Sequence, residues 1–133
     1  MKKLLIAILL FTSVLVFAQD RKISTIDFVQ ILNDNKEEAI FYYENNWLKL
    51  REMAVERGYI DSYELISVDS TPEAPFDLVL MTIYADMDAY DNAEHNFGLL
   101  IKERGELKLL NAKKPGEFRK ILFSKMDGRH LNE

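Results

Sequence analysis

Phe41-Tyr42-Tyr43-Glu44-Asn45-Asn46-Trp47-Leu48-Lys49-Leu50-Arg51 is the middle of a long helix that the rest of the chain is built to receive. Set at about 100° per residue, Ile40, Tyr43, Trp47, Leu50 and Ala54 fall on one stripe with the 3, 4, 3, 4 spacing of a buried helical face. Phe41, Leu48 and Val55 form a second line, seven residues apart, and Tyr42 and Met53 lie further round. Glu, Lys, Leu, Arg, Met and Ala favour helix, and few β-branched residues interrupt the run. Asn35 with Glu38 three residues later fits a capped start, with Asp34 as the alternative cap. Gly58 suits the left-handed position that ends a helix. The helix is expected over 36–57. It carries more apolar surface than one sheet face covers, so its second stripe needs the C-terminal segment, a partner or a ligand.

Working outward, 23–32 reads as a first strand, rich in β-formers and stopped by Asn33-Asp34-Asn35. Asp27 sits inside it, either facing a cavity or solvated near the sheet end. A second strand is expected over 62–69, with Tyr63 and Leu65 on one side and Ile66 and Val68 on the other. Ser70-Thr71-Pro72-Glu73-Ala74-Pro75 is a loop, because two prolines remove donors and fix φ. Asp77 to Ala85 is apolar on both faces, which marks a central strand covered on both sides.

Asp86 or Asp88 caps a second helix, whose stripe is Tyr90, Ala93, Phe97, Leu100 and Ile101 and whose end is Gly105. The connector 106–116 is expected to drape over the exposed stripe of the first helix. A fourth strand spans 118–126, with Phe118, Leu122 and Met126 facing one way and Ile121 and Phe123 the other. Residues 127–133 read as a loose tail.

The chain opens Met1-Lys2-Lys3 and then runs from Leu4 to Ala18 without a charge. Val16-Phe17-Ala18 suits a signal-peptidase site, so residues 1–18 are expected to be a signal peptide. The apolar run is short for a membrane span. There is no cysteine, hence neither a disulfide nor a lipid-attachment Cys. These features imply an exported protein, periplasmic or secreted, with one domain over 19–133. Removing Lys2 and Lys3 moves the formal charge from −5 to −7. That balance argues against nucleic acid, whose binding rests on phosphate neutralisation, and against an anionic membrane surface after cleavage.

The order β-α-β-β-α-β makes this an α+β chain. Its natural closure is a ferredoxin-like four-stranded antiparallel sheet with two helices on one face. The other face is apolar with nothing in the domain left to cover it, which in a monomer is an aggregation hazard. A two-fold homodimer through that open sheet face is the economical answer. The βαββαβ order, Tyr42-Tyr43-Glu44-Asn45-Asn46-Trp47, Arg57-Gly58-Tyr59-Ile60 and Pro75-Phe76-Asp77-Leu78 are similar to the dimeric α/β-barrel superfamily, and resemble its small exported members of unassigned activity. That superfamily includes cofactor-independent monooxygenases, haem-degrading enzymes, isomerases and stress-induced proteins, and its functional residues differ from branch to branch. No branch motif is present to carry over.

His95 falls about 160° from the apolar stripe of its helix, and His130 lies in the tail, so no metal site is expected. Asp86, Asp88, Asp91 and Glu94 fail the calcium-loop pattern, with Asp91 at its sixth place and Phe97 at its twelfth; acidic residues in a first helical turn answer the helix dipole. No nucleophile elbow, phosphate loop or dinucleotide fingerprint occurs, and no cofactor is expected. What remains is an aromatic set, Tyr43, Trp47, Tyr63, Tyr84 and Phe97, which either packs as core or lines a pocket. Tyr43, Trp47, Tyr84 and Asn46 are the candidate ligand-binding residues for a small apolar or aromatic molecule. Asp27 is the candidate acid or base of the alternative, a cofactor-independent monooxygenase or isomerase acting on a small aromatic molecule.

Overall fold

The computed structural model describes residues 21–132. The expected signal peptide lies outside the described residues. Strands β1 (Ile23–Ile31), β2 (Ser62–Ser67), β3 (Leu78–Tyr84) and β4 (Arg119–Arg129) form one antiparallel sheet in the order β2-β3-β1-β4. The chain is therefore α+β with an open four-stranded sheet, consistent with a ferredoxin-like arrangement. Asn33 and Asp34 turn the chain out of β1 with φ of 55° and 58°, left-handed values that short polar side chains tolerate.

The long helix runs through α1 (Lys36–Tyr42), a π-helical segment (Tyr43–Trp47) and α2 (Leu48–Glu56). The π turn has a local cause. Asn45 Nδ2 donates to the Phe41 carbonyl at 2.9 Å, and Asn46 Nδ2 to the Tyr42 carbonyl at 2.8 Å. The Leu48 N–H bonds to the Tyr43 carbonyl, five residues back. Side-chain amides thus compete for carbonyls of the helical ladder, and the turn widens. The buried line becomes Ala39, Tyr43, Asn46, Leu50 and Ala54. Trp47, which the spacing puts on that line, is only half-buried.

Cross-strand partners share a face, so the register sorts the sheet. Val29, Asp27, Thr25 and Ile23 pair with Leu78, Leu80, Thr82 and Tyr84 on the helix side. Two clusters fill the space between sheet and helices. One joins Val29, Tyr43, Leu78 and Leu80; the other joins Leu50, Ala54, Ile60, Tyr84 and Leu100. The second cluster brings in α4 (Ala93–Arg104), which follows the short α3 (Met87–Asp91). The Asp86 carboxylate caps α3, accepting from the Ala89 N–H at 2.8 Å. Gly105, at φ 78°, stops α4 in a conformation that favours glycine.

The C-terminal third departs from the expected pattern. Phe118 is the buried last residue of a short helix α5 (Pro115–Phe118). β4 then continues to Arg129, through the stretch that reads as a loose tail. An extra residue, Leu122, separates the Phe28–Phe123 pair from the Val29–Ile121 pair. That bulge puts Ile121 on the helix side and Phe123 on the open side, whereas simple alternation keeps them together. A second irregularity holds Asp127 at φ 63° and lays Gly128 against Ser24, where a Cβ would come within 3.1 Å of the Ser24 carbonyl oxygen. His130 Nε2 meets Ser24 Oγ at 2.6 Å.

The opposite face of the sheet shows Ile26, Phe28, Ile66, Val79, Met81, Ile83 and Phe123. Phe28 stacks on Phe123 at 4.6 Å between centroids and meets Phe76 edge-on at 4.9 Å. Ile66 and Phe123 remain 41% and 47% exposed, so the chain covers β3 fully on its helix side only. No helix among the described residues is long and apolar enough to cross a membrane.

Candidate functional site

A cavity of about 160 Å³ lies between the long helix and the sheet. Asp27 enters from β1, Leu80 from β3, Ile121 from β4, and Tyr42, Tyr43, Asn46, Trp47 and Leu50 from the helix. Arg104 and Arg119 complete its wall. Of the residues the sequence singles out, Asp27, Tyr43, Asn46 and Trp47 meet here. Tyr84 lies outside this lining, packed in the second cluster with its ring edge-on to Tyr90 at 5.5 Å.

Asp27 occupies the middle of a central strand and points to the helix side, not to the sheet end. Its carboxylate accepts a short hydrogen bond from Ser124 Oγ, its cross-strand neighbour. Tyr43 is 3% exposed, and its ring packs edge-on against Tyr42 at 5.1 Å. Burial raises its pKa above the ordinary 10.0, against a smaller opposing effect of Arg119. The Tyr43 hydroxyl has no hydrogen-bond partner among the described residues, and the same is true of Arg104 Nε and Arg119 Nε. The Arg119 guanidinium sits 5.3 Å from the Tyr42 ring centroid.

Asn46 is already committed. Its Nδ2 donates to the Lys108 carbonyl at 2.8 Å and its Oδ1 accepts from the Lys108 N–H at 2.8 Å, besides the bond to Tyr42. The amide acts as a one-residue strand partner that holds the connector between α4 and α5 over the helix. So this connector is tied to the long helix, and Asn46 walls the cavity while its polar atoms serve the backbone.

Arg51 is the residue that sequence reasoning missed. Its guanidinium lies between two rings, 4.3 Å from Trp47 and 4.5 Å from Phe97, and its Nε donates to Thr82 Oγ1 at 3.1 Å. No carboxylate lies within 4.0 Å of it among the described residues. Burial pushes its pKa down to about 10, partly offset by Tyr84 and Asp27 nearby. The signal was present: Arg51 follows Trp47 by four residues, the spacing of helix-surface neighbours. Arg104 and Arg119 were missed for another reason, since each stands at the end of an element, where arginine ordinarily faces water.

A wider depression of about 800 Å³ lies at the start of the long helix, lined by Asn35, Glu38, Phe41, Glu44, Leu110 and Lys113 among others. Three of its polar groups, Asn35, Glu38 and Lys113, satisfy one another. Lys113 Nζ donates to Asn35 Oδ1 at 2.6 Å and to Glu38 Oε1 at 3.3 Å, and Asn111 Nδ2 to Glu38 Oε1 at 3.2 Å. It is an open crease where the connector crosses the helix. The smaller cavity holds the unpaired donors and is the better candidate. No group of three or more His, Cys, Asp or Glu is placed to hold a metal among the described residues. His95 is exposed on α4.

No family model, no curated protein and no solved structure matches this chain.

Proposed function

We propose that this chain is an exported dimeric α/β-barrel protein that binds a small, single-ring apolar or aromatic molecule between its long helix and its sheet. The observation that carries this reading is the cavity itself, walled by Tyr42, Tyr43, Trp47, Leu50 and Leu80 and furnished with a few polar groups. That is the composition of a ligand site. Its size selects the ligand, because apolar cavities of about 150 Å³ accept benzene-sized guests. Trp47 is the only tryptophan of the chain and lines the cavity, so its fluorescence reports occupancy directly. Titration with toluene, phenol and benzyl alcohol is expected to shift or quench that emission saturably. Emission unchanged by all three refutes the ligand reading.

A second copy of the chain is the proposed partner, packed on the open face of the sheet. Two observations support it. The face is apolar and centred on Phe28, Phe76 and Phe123. Its two margins carry opposite charge, with Lys120 and Lys125 on β4 and Glu64 on β2. Two such sheets stacked about an axis along the strands bring the β4 margin of one copy over the β2 margin of the other, lysine against glutamate. Like margins never meet in that arrangement.

The alternative, a cofactor-independent oxygenase or isomerase, is favoured by one feature, the Asp27 carboxylate on the cavity wall. Under that reading Asp27→Asn abolishes turnover of a bound aromatic molecule and leaves its binding intact.

A further inference from the structure

The cavity holds an imbalance of hydrogen-bonding groups that an apolar guest does not answer. Three buried donors face no acceptor among the described residues: Tyr43 Oη, Arg104 Nε and Arg119 Nε. All three residues line the one cavity of about 160 Å³. Buried polar groups in folded proteins are paired in the great majority, and three orphans converging on one small space are not scattered packing faults. The charges point the same way. The lining carries two guanidinium groups and one carboxylate, Asp27, a net of +1 inside a chain whose overall balance is −5. The carboxylate does not cancel either arginine locally. No ion pair within 4.0 Å joins Asp27 to Arg104 or Arg119 among the described residues, and one Asp27 oxygen is taken by Ser124.

We infer that the ligand is a small aromatic monocarboxylate, its carboxylate accepting from Tyr43, Arg104 and Arg119 and its ring lying against Trp47, Leu50 and Leu80. This inference rests on the ligand-binding reading above and names the chemical class of the guest. A carboxylate supplies about four lone-pair sites, enough for three donors, and charge-assisted bonds to guanidinium are the strong ones. A single negative charge brings the lining to neutrality; a dianion overshoots it and meets Asp27. The Asp27 oxygen that Ser124 leaves free is an acceptor, so a ring bearing a hydroxyl group fits better than the bare ring.

The test uses protein recovered after expression of the full chain, with benzoate, 4-hydroxybenzoate and the neutral isostere benzamide as probes, read by Trp47 fluorescence and by calorimetry at pH 7. Benzoate is expected to bind at least tenfold more tightly than benzamide, the discrimination one charge-assisted hydrogen bond supplies, and 4-hydroxybenzoate more tightly still. Arg119→Gln is expected to weaken benzoate at least tenfold and to leave benzamide within twofold. Tyr43→Phe, which keeps the ring and the packing, is expected to weaken benzoate about threefold, so the inference stays open to refutation if Arg119→Gln fails to fold. Equal binding of benzoate and benzamide overturns the inference alone and leaves the apolar pocket standing. Binding of none of the aromatic compounds overturns both.

Discussion

Replacing Tyr43 by Phe is expected to stabilise the unliganded protein, the reverse of what most core substitutions do. The ring of Tyr43 sits among Val29, Leu78 and Leu80, and phenylalanine keeps those contacts and the edge-on contact with Tyr42. Only the hydroxyl is lost. That hydroxyl is buried with no partner among the described residues, and an unsatisfied buried polar group costs about 1–3 kcal/mol. Taking the low end, Tyr43→Phe should gain about 1 kcal/mol, or about 4 °C in Tm for a domain of this size. The assay is thermal and urea unfolding of both proteins at pH 7. A loss of about 1 kcal/mol or more would show that the hydroxyl has a protein partner and would remove one of the three donors from the argument. The same variant carries a pH signature. Burial raises the Tyr43 pKa above 10.0, so the fold keeps the neutral phenol while the unfolded chain ionises first. Its contribution is fully present below pH 10 and is lost as pH rises toward the folded value, by about 1.4 kcal/mol per unit. Tyr43→Phe should therefore flatten the fall in stability between pH 10 and pH 11.

Two further outcomes follow from the packing. Asn46→Ala removes both bonds to the Lys108 backbone and strands its N–H and carbonyl; a loss of about 2–3 kcal/mol and faster amide exchange confined at first to 106–113 are expected. For the sheet-on-sheet pair, sedimentation should give twice the monomer mass at micromolar concentration. Glu64→Lys or Lys125→Glu should each weaken association several-fold and the two together restore it, whereas a monomer at all concentrations refutes the pairing.

The backbone pattern was legible because it rests on periodicity and punctuation. The helix over 36–57, the Asp86 cap, the Gly105 stop and the cores of all four strands are written in apolar spacing and in Gly, Asp and Asn. What was not legible depends on competition between neighbours. The sequence marks Asn46 as a polar group of the pocket and gives Asn45 no role, and only their bonds to Phe41 and Tyr42 reveal the widened turn. The bulge at Leu122 has no marker residue, so the alternation of 118–126 misplaces Ile121 relative to Phe123. The tail reads as loose because Asp127 and Gly128 are turn residues; in the fold they are used to bend a strand that goes on pairing with β1. Within the cavity, the helix phase brought Tyr43, Asn46 and Trp47 together in the sequence. Its cations escaped notice, since Arg104 and Arg119 lie far from that helix in the chain and meet it only through α4 and β4.

The wide turn at 43–47 also decides something that no side chain does, where along its length the helix can give up a residue. Deleting one residue there would let the segment relax to ordinary α geometry with α1 and α2 still in phase, because a π turn is an α turn holding one residue more; deleting one residue from α1 instead would rotate everything downstream by about 100°. Leu50 and Ala54 would swing off the sheet, and Arg51 would leave the slot between Trp47 and Phe97. A variant shortened by one residue in α1 should therefore fail to fold, whereas one that loses the exposed Glu44 inside the wide turn should keep the fold.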